Sequence, residues 1–505
     1  MMKKVAFIFT AFLVFFVILA IPVDPAMLSP AAKSVAAVTV LMVLLWVTEA
    51  IPLEATALLP LVLFPALGVL SPTAVAASYG DRVIFLFLGG FIIAMSMQRW
   101  GLHRRIALHI IQVAGTSPKR LVLGFMVATA FLSMWISNTA TAMMMIPIAI
   151  AIILTIIPET NKELENLTNE QQSLARCLII SIPYAASIGG IATIIGTPPN
   201  GIFLAQLETL FPSAAPIDFF TWMKFGVPFA AVFLVLAWLW LTLVPYRKMS
   251  LALPDAREII HSELKKMGPM SIGERWTLFV FVLTALAWIF ETTKEIGDIT
   301  IPGLDVFFPG IHDSTIAIFG AFLLFILPVD WRKGIFTMNW EWAVKIPWGI
   351  LILFGGGIAL SNGFIQSGLA ATIVEYLTLI HGLPIIVLIL LVALGVSFAT
   401  EIASNTAMAA VLMPIMAVTA VSIGVNPLIL MITVAVCSSL AFMLPVATPP
   451  NAVAYGSGYV SSEDLLRSGW VLDLVGVALW TLFLFTVVLW ALGVPFELPA
   501  WALSP

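Results

Sequence analysis

The 505 residues are 61% hydrophobic and 10% charged, with a mean hydropathy of +1.09 and a formal net charge of -4. A soluble globular chain carries about 25% charged residues, so this composition excludes that class and gives a polytopic membrane protein. The chain has no basic block and no interleaving of aromatic with basic residues, which excludes nucleic acid as a partner.

Apolar runs of about 20 residues can cross the hydrocarbon core. Such runs fall at 5–23, 33–48, 52–67, 81–98, 223–245, 273–290, 313–329, 342–362 and 468–494. The first follows Lys3 and Lys4, lacks a small-x-small cleavage site, and reads as a retained span rather than a signal. A short polar turn at Glu49 and Glu54 joins the second and third. Asp81 and Arg82 read as a local ion pair at a helix start. Segment 102–113 opens with His103, Arg104 and Arg105 and reads either as an interfacial helix or as the lower turn of the preceding helix. Cys177 and Cys437 lie in or beside apolar runs and read as small buried hydrophobes, with no structural disulfide implied. Met143, Met144 and Met145 read as packing, because no Cys or His accompanies them.

Four further apolar regions are interrupted by polar motifs. Regions 120–157 and 383–421 are too long for one span, and each carries Ser-Asn-Thr near its middle, at Ser137-Asn138-Thr139 and Ser404-Asn405-Thr406. Each reads as a re-entrant hairpin, a form allowed only where protein or a cavity covers the break. Regions 173–209 and 427–457 carry Thr-Pro-Pro-Asn, at Thr197–Asn200 and Thr448–Asn451, and read as broken transmembrane helices. Smaller echoes, glycines at Gly89-Gly90 and Gly355–Gly357 each followed by Gly-Leu, widen the repetition. The expected organisation is an all-α inverted repeat: a first helix within 1–32, repeats at 33–245 and 273–505, and a cytoplasmic linker at 246–272.

Charge orients this scheme. With eleven spans, two hairpins and the N-terminus in the cytoplasm, Lys162 and most other cations lie inside; of the 23 Lys and Arg, only Lys33, Arg82, Lys224 and Lys294 fall outside. The C-terminus is then outside, and the two hairpins enter from opposite faces.

The motifs suit ions. Sodium needs several oxygens in a compact shell, which side-chain hydroxyls and amides and the carbonyls of broken helices supply. One set is Ser133, Ser137, Asn138 and backbone at Gly196; the other is Thr400, Ala403, Asn405 and backbone at Ala447. Free N–H groups at the mid-membrane helix starts, with Asn138, Thr139, Asn405 and Thr406, provide donors for an anion, and two facing clusters fit the two ends of a small dicarboxylate. No Arg or Lys lies within the cores of these regions, so bound cations must compensate a dianion. A lone Ser, Thr or Asn is otherwise a helix cap or a helix–helix hydrogen bond. Glu401 reads as a protonated or sodium-facing group, as one facing a polar lumen, or as a structural pair or an interfacial charge. Neither a nucleophile–base or metal constellation nor a P-loop is present, so the sequence implies neither an enzyme nor an ATP-driven pump.

With its doubled Ser-Asn-Thr and the stretch Cys437–Asn451, the sequence resembles the divalent anion:sodium symporter family, which includes INDY-type bacterial dicarboxylate transporters and mammalian sodium–carboxylate and sodium–sulfate cotransporters. The resemblance implies an elevator mechanism, with a dimerising scaffold and a moving transport domain, in the bacterial cytoplasmic membrane. It implies sodium coupling, no other cofactor, and import of succinate, fumarate or malate. It also implies that Asn138, Thr139, Thr197, Asn405, Thr406, Thr448 and Pro449 bind substrate, and it supports the two sodium sets above. Thr197 stands where some members have Ser. Exchange without sodium, carriage of citrate or sulfate, and an anion channel are the alternatives.

Overall fold

The computed structural model describes residues 2–25, 27–115, 117–156, 168–249, 256–296, 299–376 and 384–503. Lys162, part of the linker 246–272, and the expected hairpin limits at 157 and 383 lie outside the described residues. Within them the protein is helical, and nine helices are long and apolar enough to cross a membrane. Shorter apolar helices at Leu53–Ala66, Asn138–Leu154, Asp313–Ile326, Ile385–Thr400 and Pro427–Cys437 complete the bundle.

Local chemistry sets the helix ends. Ser29 and Asp81 accept the amide hydrogens of Ala32 and Val83, capping Pro30–Thr48 and Arg82–Trp100. Ser271 and Glu274 form a capping box at the start of Ile272–Ile289. Glu49 closes its helix in the left-handed region at φ 46°, and Lys4 Nζ donates to its carbonyl at 3.1 Å.

Several expectations change. The run 52–67 is two short helices, Leu53–Ala57 and Leu59–Ala66, with Pro60 opening the second. Of the two readings of segment 102–113, the lower turn of the preceding helix falls away: it is a separate helix, Leu102–Ala114, because Gly101 at φ 74° ends the one before it. Arg82 pairs with Glu208, Nε to Oε2 at 2.6 Å, while Asp81 is spent on the cap, so these neighbours are not each other's ion pair. Two small hairpins were not foreseen: Lys294–Ile296 with Ile299–Ile301, and Pro328–Asp330 with Ile335–Phe336. Strands this short leave almost no alternation to read. Cys177 and Cys437 are free and buried.

The repeated glycines bring helices into close contact. A Cβ on Gly89 would stand 2.4 Å from the Ala317 carbonyl carbon, and one on Gly356 would stand 2.6 Å from the Ala57 carbonyl oxygen. Lipid tails are as apolar as leucine, so helix association in a membrane depends on such close approach.

Charged groups sort to separate clusters. Lys294 Nζ lies 3.2 Å from Asp218 Oδ2, and Thr292 donates to the same oxygen. Burial opposes ionisation of Asp218, but hydrogen bonds from Thr221 and Thr292 and the charge of Lys294 outweigh it and hold the carboxyl below its usual range. Elsewhere, Arg105 Nε meets Glu274 Oε1 at 2.7 Å, and its Nη1 donates to the Gly268 carbonyl at 3.0 Å. That buried pair fastens Leu102–Ala114 to the first turn of Ile272–Ile289.

Breaking a buried pair leaves one charge uncompensated, at a cost of about 3–5 kcal/mol. Arg105→Leu or Glu274→Leu alone should therefore lower the melting temperature of the purified protein sharply. The double variant should lose much less, which a double-mutant cycle by thermal unfolding in detergent measures.

Candidate functional site

Eight helices carry the polar motifs. In chain order they are α1 (Pro118–Ser133), α2 (Asn138–Ile156), α3 (Asn169–Ile191), α4 (Pro198–Leu210), α5 (Ile385–Thr400), α6 (Asn405–Ser422), α7 (Pro427–Cys437) and α8 (Pro449–Gly456). They fall into pairs separated by non-helical breaks: 134–137, 192–197, 401–404 and 438–448.

The prolines of Thr-Pro-Pro-Asn do not interrupt helices; they start them. Pro198 and Pro449 take the first helical position, where no N–H is required, and Thr197 and Thr448 are extended N-caps. The asparagine that ends each motif fills the break behind it. Asn200 Nδ2 donates to the carbonyls of Gly190 at 3.2 Å and Thr193 at 2.8 Å. Asn451 Nδ2 donates to the carbonyls of Ala441 at 3.2 Å and Leu444 at 3.0 Å. Both asparagines are fully buried. Each thus satisfies two carbonyls that a continuous helix would have paired.

The triplets repeat this economy. Ser133 Oγ lies 2.5 Å from Asn138 Oδ1 and 2.8 Å from the Ala186 carbonyl. In the second unit Thr400 Oγ1 contacts Asn405 Oδ1 and lies 3.0 Å from the Ser438 carbonyl. Three oxygens of different origin therefore converge beside each triplet. A point on Gly190 where a Cβ would stand is 2.8 Å from Asn138 Oδ1 and 3.1 Å from the Gly196 carbonyl, and a Cβ on Gly196 would stand 2.4 Å from the Gly190 carbonyl. Only glycine allows this approach. Hydroxyl, amide and carbonyl oxygens without a thiolate or imidazole are the ligand set of a hard cation.

The structure thus brings Ser133, Asn138 and Gly196 together, and likewise Thr400 and Asn405. Ser137 serves α2 as well: its carbonyl accepts from Thr141 N at 3.0 Å and its hydroxyl weakly from Ala140 N at 3.4 Å. Ala403 and Ala447 are nearly buried, at 6% and 7% exposure, in the two breaks of the second unit. Thr139 and Thr406 are half-buried in the first turns of α2 and α6. The expected substrate threonines differ: Thr197 makes no side-chain cap bond, whereas Thr448 Oγ1 caps α8 by accepting Asn451 N at 3.3 Å. Pro449 is exposed.

The two units interlock. α2 packs on α8 and α3, and α6 packs on α4 and α7. Gln206 Nε2 of α4 donates to the Ala410 carbonyl of α6 at 3.0 Å. Tyr184 of α3 donates to the carbonyls of Phe442 and Leu465, at 2.9 and 3.1 Å. Helix Phe219–Leu243 covers the break 192–197, with Trp222 Nε1 on the Ile191 carbonyl at 2.9 Å. Sequence reading missed the roles of Asn200, Asn451, Thr193, Gln206 and Trp222. Recurrence of Asn at the end of both Thr-Pro-Pro-Asn motifs was the one available signal, and it marked the first two.

Residues 2–492 match the family described as the sodium:sulfate symporter transmembrane region. The sodium-dependent dicarboxylate transporter SdcS of Staphylococcus saprophyticus is 41% identical over 488 residues, covering 96% of this chain and 91% of that protein. SdcS of Staphylococcus aureus USA300 is 41% identical over 469 residues, covering 92% and 88%. Among solved structures, the YdaH transporter of Alcanivorax borkumensis shares the fold at TM-score 0.55 and 15% identity, over 84% of this chain and 89% of that one. MtrF of Neisseria gonorrhoeae does so at TM-score 0.56 and 14% identity, over 84% and 85%.

Gly196→Ala should force the Gly190 and Gly196 backbones apart beside Asn138. Its apparent melting temperature should fall, and added sodium should no longer raise it. Gly395→Ala, at a position with nothing within 4 Å of an added Cβ, should leave both properties as in the parent protein. Thermal unfolding in matched sodium and choline salts measures the difference.

Proposed function

The chain belongs to the sodium:sulfate symporter family, and on that footing we propose that it is a sodium-coupled secondary transporter that imports C4-dicarboxylates such as succinate, fumarate and malate. The observation that carries this reading is the pair of oxygen clusters at Ser133–Asn138 and Thr400–Asn405, each backed by a broken helix whose asparagine holds the break open.

In this proposal Ser133, Ser137, Asn138 and the Gly196 carbonyl take one sodium ion, and Thr400, Ala403, Asn405 and Ala447 take the other. The dianion lies between the triplets, held by Asn138, Thr139, Thr197, Asn405, Thr406 and the backbone at Thr448–Pro449. Each triplet asparagine then presents its oxygen to the cation and its amide hydrogens to the carboxylate. The four breaks hold no Lys or Arg, so sodium supplies the positive charge that makes dianion binding favourable. Anion and cation binding are thereby linked, and each raises the affinity for the other by the same factor.

The eight motif helices form the moving body of an elevator, built as an inverted repeat with two re-entrant hairpins, and the remaining helices form a scaffold that dimerises. The N-terminus lies in the cytoplasm and the C-terminus outside. Supporting that orientation, Arg82 and Lys294 gather with Glu208 and Asp218, whereas Arg104 and Arg105 gather with Glu263 and Glu274.

Uptake of labelled succinate into proteoliposomes, with sodium or choline outside and with citrate or sulfate as competitors, tests the reading. Succinate uptake should require sodium and rise steeply with its concentration. Asn138→Ala and Asn405→Ala should each abolish the sodium-stimulated component. Equal uptake in choline would replace symport by sodium-independent exchange, and current uncoupled from sodium would replace it by a channel.

A further inference from the structure

The two units differ at one tie. In the first, Thr193 Oγ1 in the break 192–197 donates to the Met134 carbonyl at 2.5 Å, joining it to the break that follows α1. Glu401 stands to Asn405 as Met134 stands to Asn138, and Leu444 stands to Asn451 as Thr193 stands to Asn200. The second tie therefore occurs at the same two positions with different chemistry. Glu401 Oε1 accepts the Met443 amide hydrogen at 2.8 Å, and Oε2 accepts that of Leu444 at 2.9 Å. Glu401 is 2% exposed, and Asp473, 1% exposed on Ser462–Phe483, faces it.

Leu444 is a junction. Its N–H goes to Glu401, while its carbonyl accepts Asn451 Nδ2 at 3.0 Å and Ala447 N at 3.2 Å. One residue's backbone thus connects the carboxylate to the asparagine of α8 and to the residue expected to offer a carbonyl to the second cation. The break it sits in, 438–448, is longer than 192–197. Beside Asn200, one hydroxyl bond restrains the short break; the longer one has more conformational freedom to remove, and beside Asn451 a two-pronged carboxyl acceptor removes it. Charge-assisted hydrogen bonds are roughly twice as strong as neutral ones.

We infer that Glu401 is a positioning residue for the second sodium site: without touching the ion, it fixes the break 438–448 so that Ala447 stands in register with Thr400 and Asn405. The two sodium sites are then unequal, and only the second depends on a carboxylate. The inference rests on the sodium-coupled reading above and deepens it.

Glu401→Gln keeps one acceptor but turns an NH2 group toward the other amide. Losing one charged hydrogen bond corresponds to about a tenfold change or more in an equilibrium constant. In proteoliposomes the sodium concentration for half-maximal succinate uptake should rise roughly tenfold, while the maximal rate at saturating sodium and the succinate KM measured there stay near those of the parent. Glu401→Asp, which keeps the charge but loses the reach, should show the same shift, and it decides the matter if the Gln variant does not reconstitute. Thr193→Val, which cuts the first tie, should not reproduce the carboxylate variants' full shift. An unchanged half-saturation, or a lost maximal rate with unchanged half-saturation, would overturn the positioning role. A parent protein whose uptake ignores sodium would instead overturn the coupling itself, whatever Glu401 does.

Discussion

Everything at the centre of this molecule depends on how it satisfies backbone groups where helices stop inside an apolar bundle. An unsatisfied N–H or C=O in hydrocarbon costs several kcal/mol, and four breaks expose many of them. Two buried asparagines meet much of that demand, Asn200 for the carbonyls of Gly190 and Thr193 and Asn451 for those of Ala441 and Leu444. In the proposed transporter, stability of the break and affinity for a cation are then consequences of one arrangement.

The same arrangement explains why small residues sit where they do. Gly190 and Gly196 are in backbone contact beside Asn138, so the oxygen cluster closes only if neither carries a Cβ. In the second unit Ala441 and Ala447 stand at the corresponding distances from Asn451. There the break is longer, and a carboxyl group adds to the restraint. Two units that read alike as motifs reach a similar geometry by different chemistry.

Much of this was legible in the sequence. Long apolar runs give most of the helices because a membrane leaves few other options, and Ser-Asn-Thr with Thr-Pro-Pro-Asn marked all four breaks because polar residues have no other reason to recur there. Other features were not legible, for physical reasons. The prolines read as helix breakers but act as helix starters, since a proline costs nothing at a first helical position. The Arg82–Glu208 pair joins residues far apart in the chain, and nothing local distinguishes it from Asp81–Arg82. The hairpins at Lys294–Ile301 and Pro328–Phe336 are too short to show a period. Glu401 stood out as a costly charge, but it meets two backbone amides and the distant Asp473, which no local side-chain pattern reveals.

The central claim is that cations bound beside the two triplets supply the charge that holds a dianion where no basic side chain does. Simultaneous flux of radiolabelled sodium and radiolabelled succinate through the reconstituted protein tests it most directly. The account predicts more than one sodium ion moved with each dianion, in a fixed ratio that does not vary with the sodium gradient. Succinate moving without accompanying sodium would contradict it.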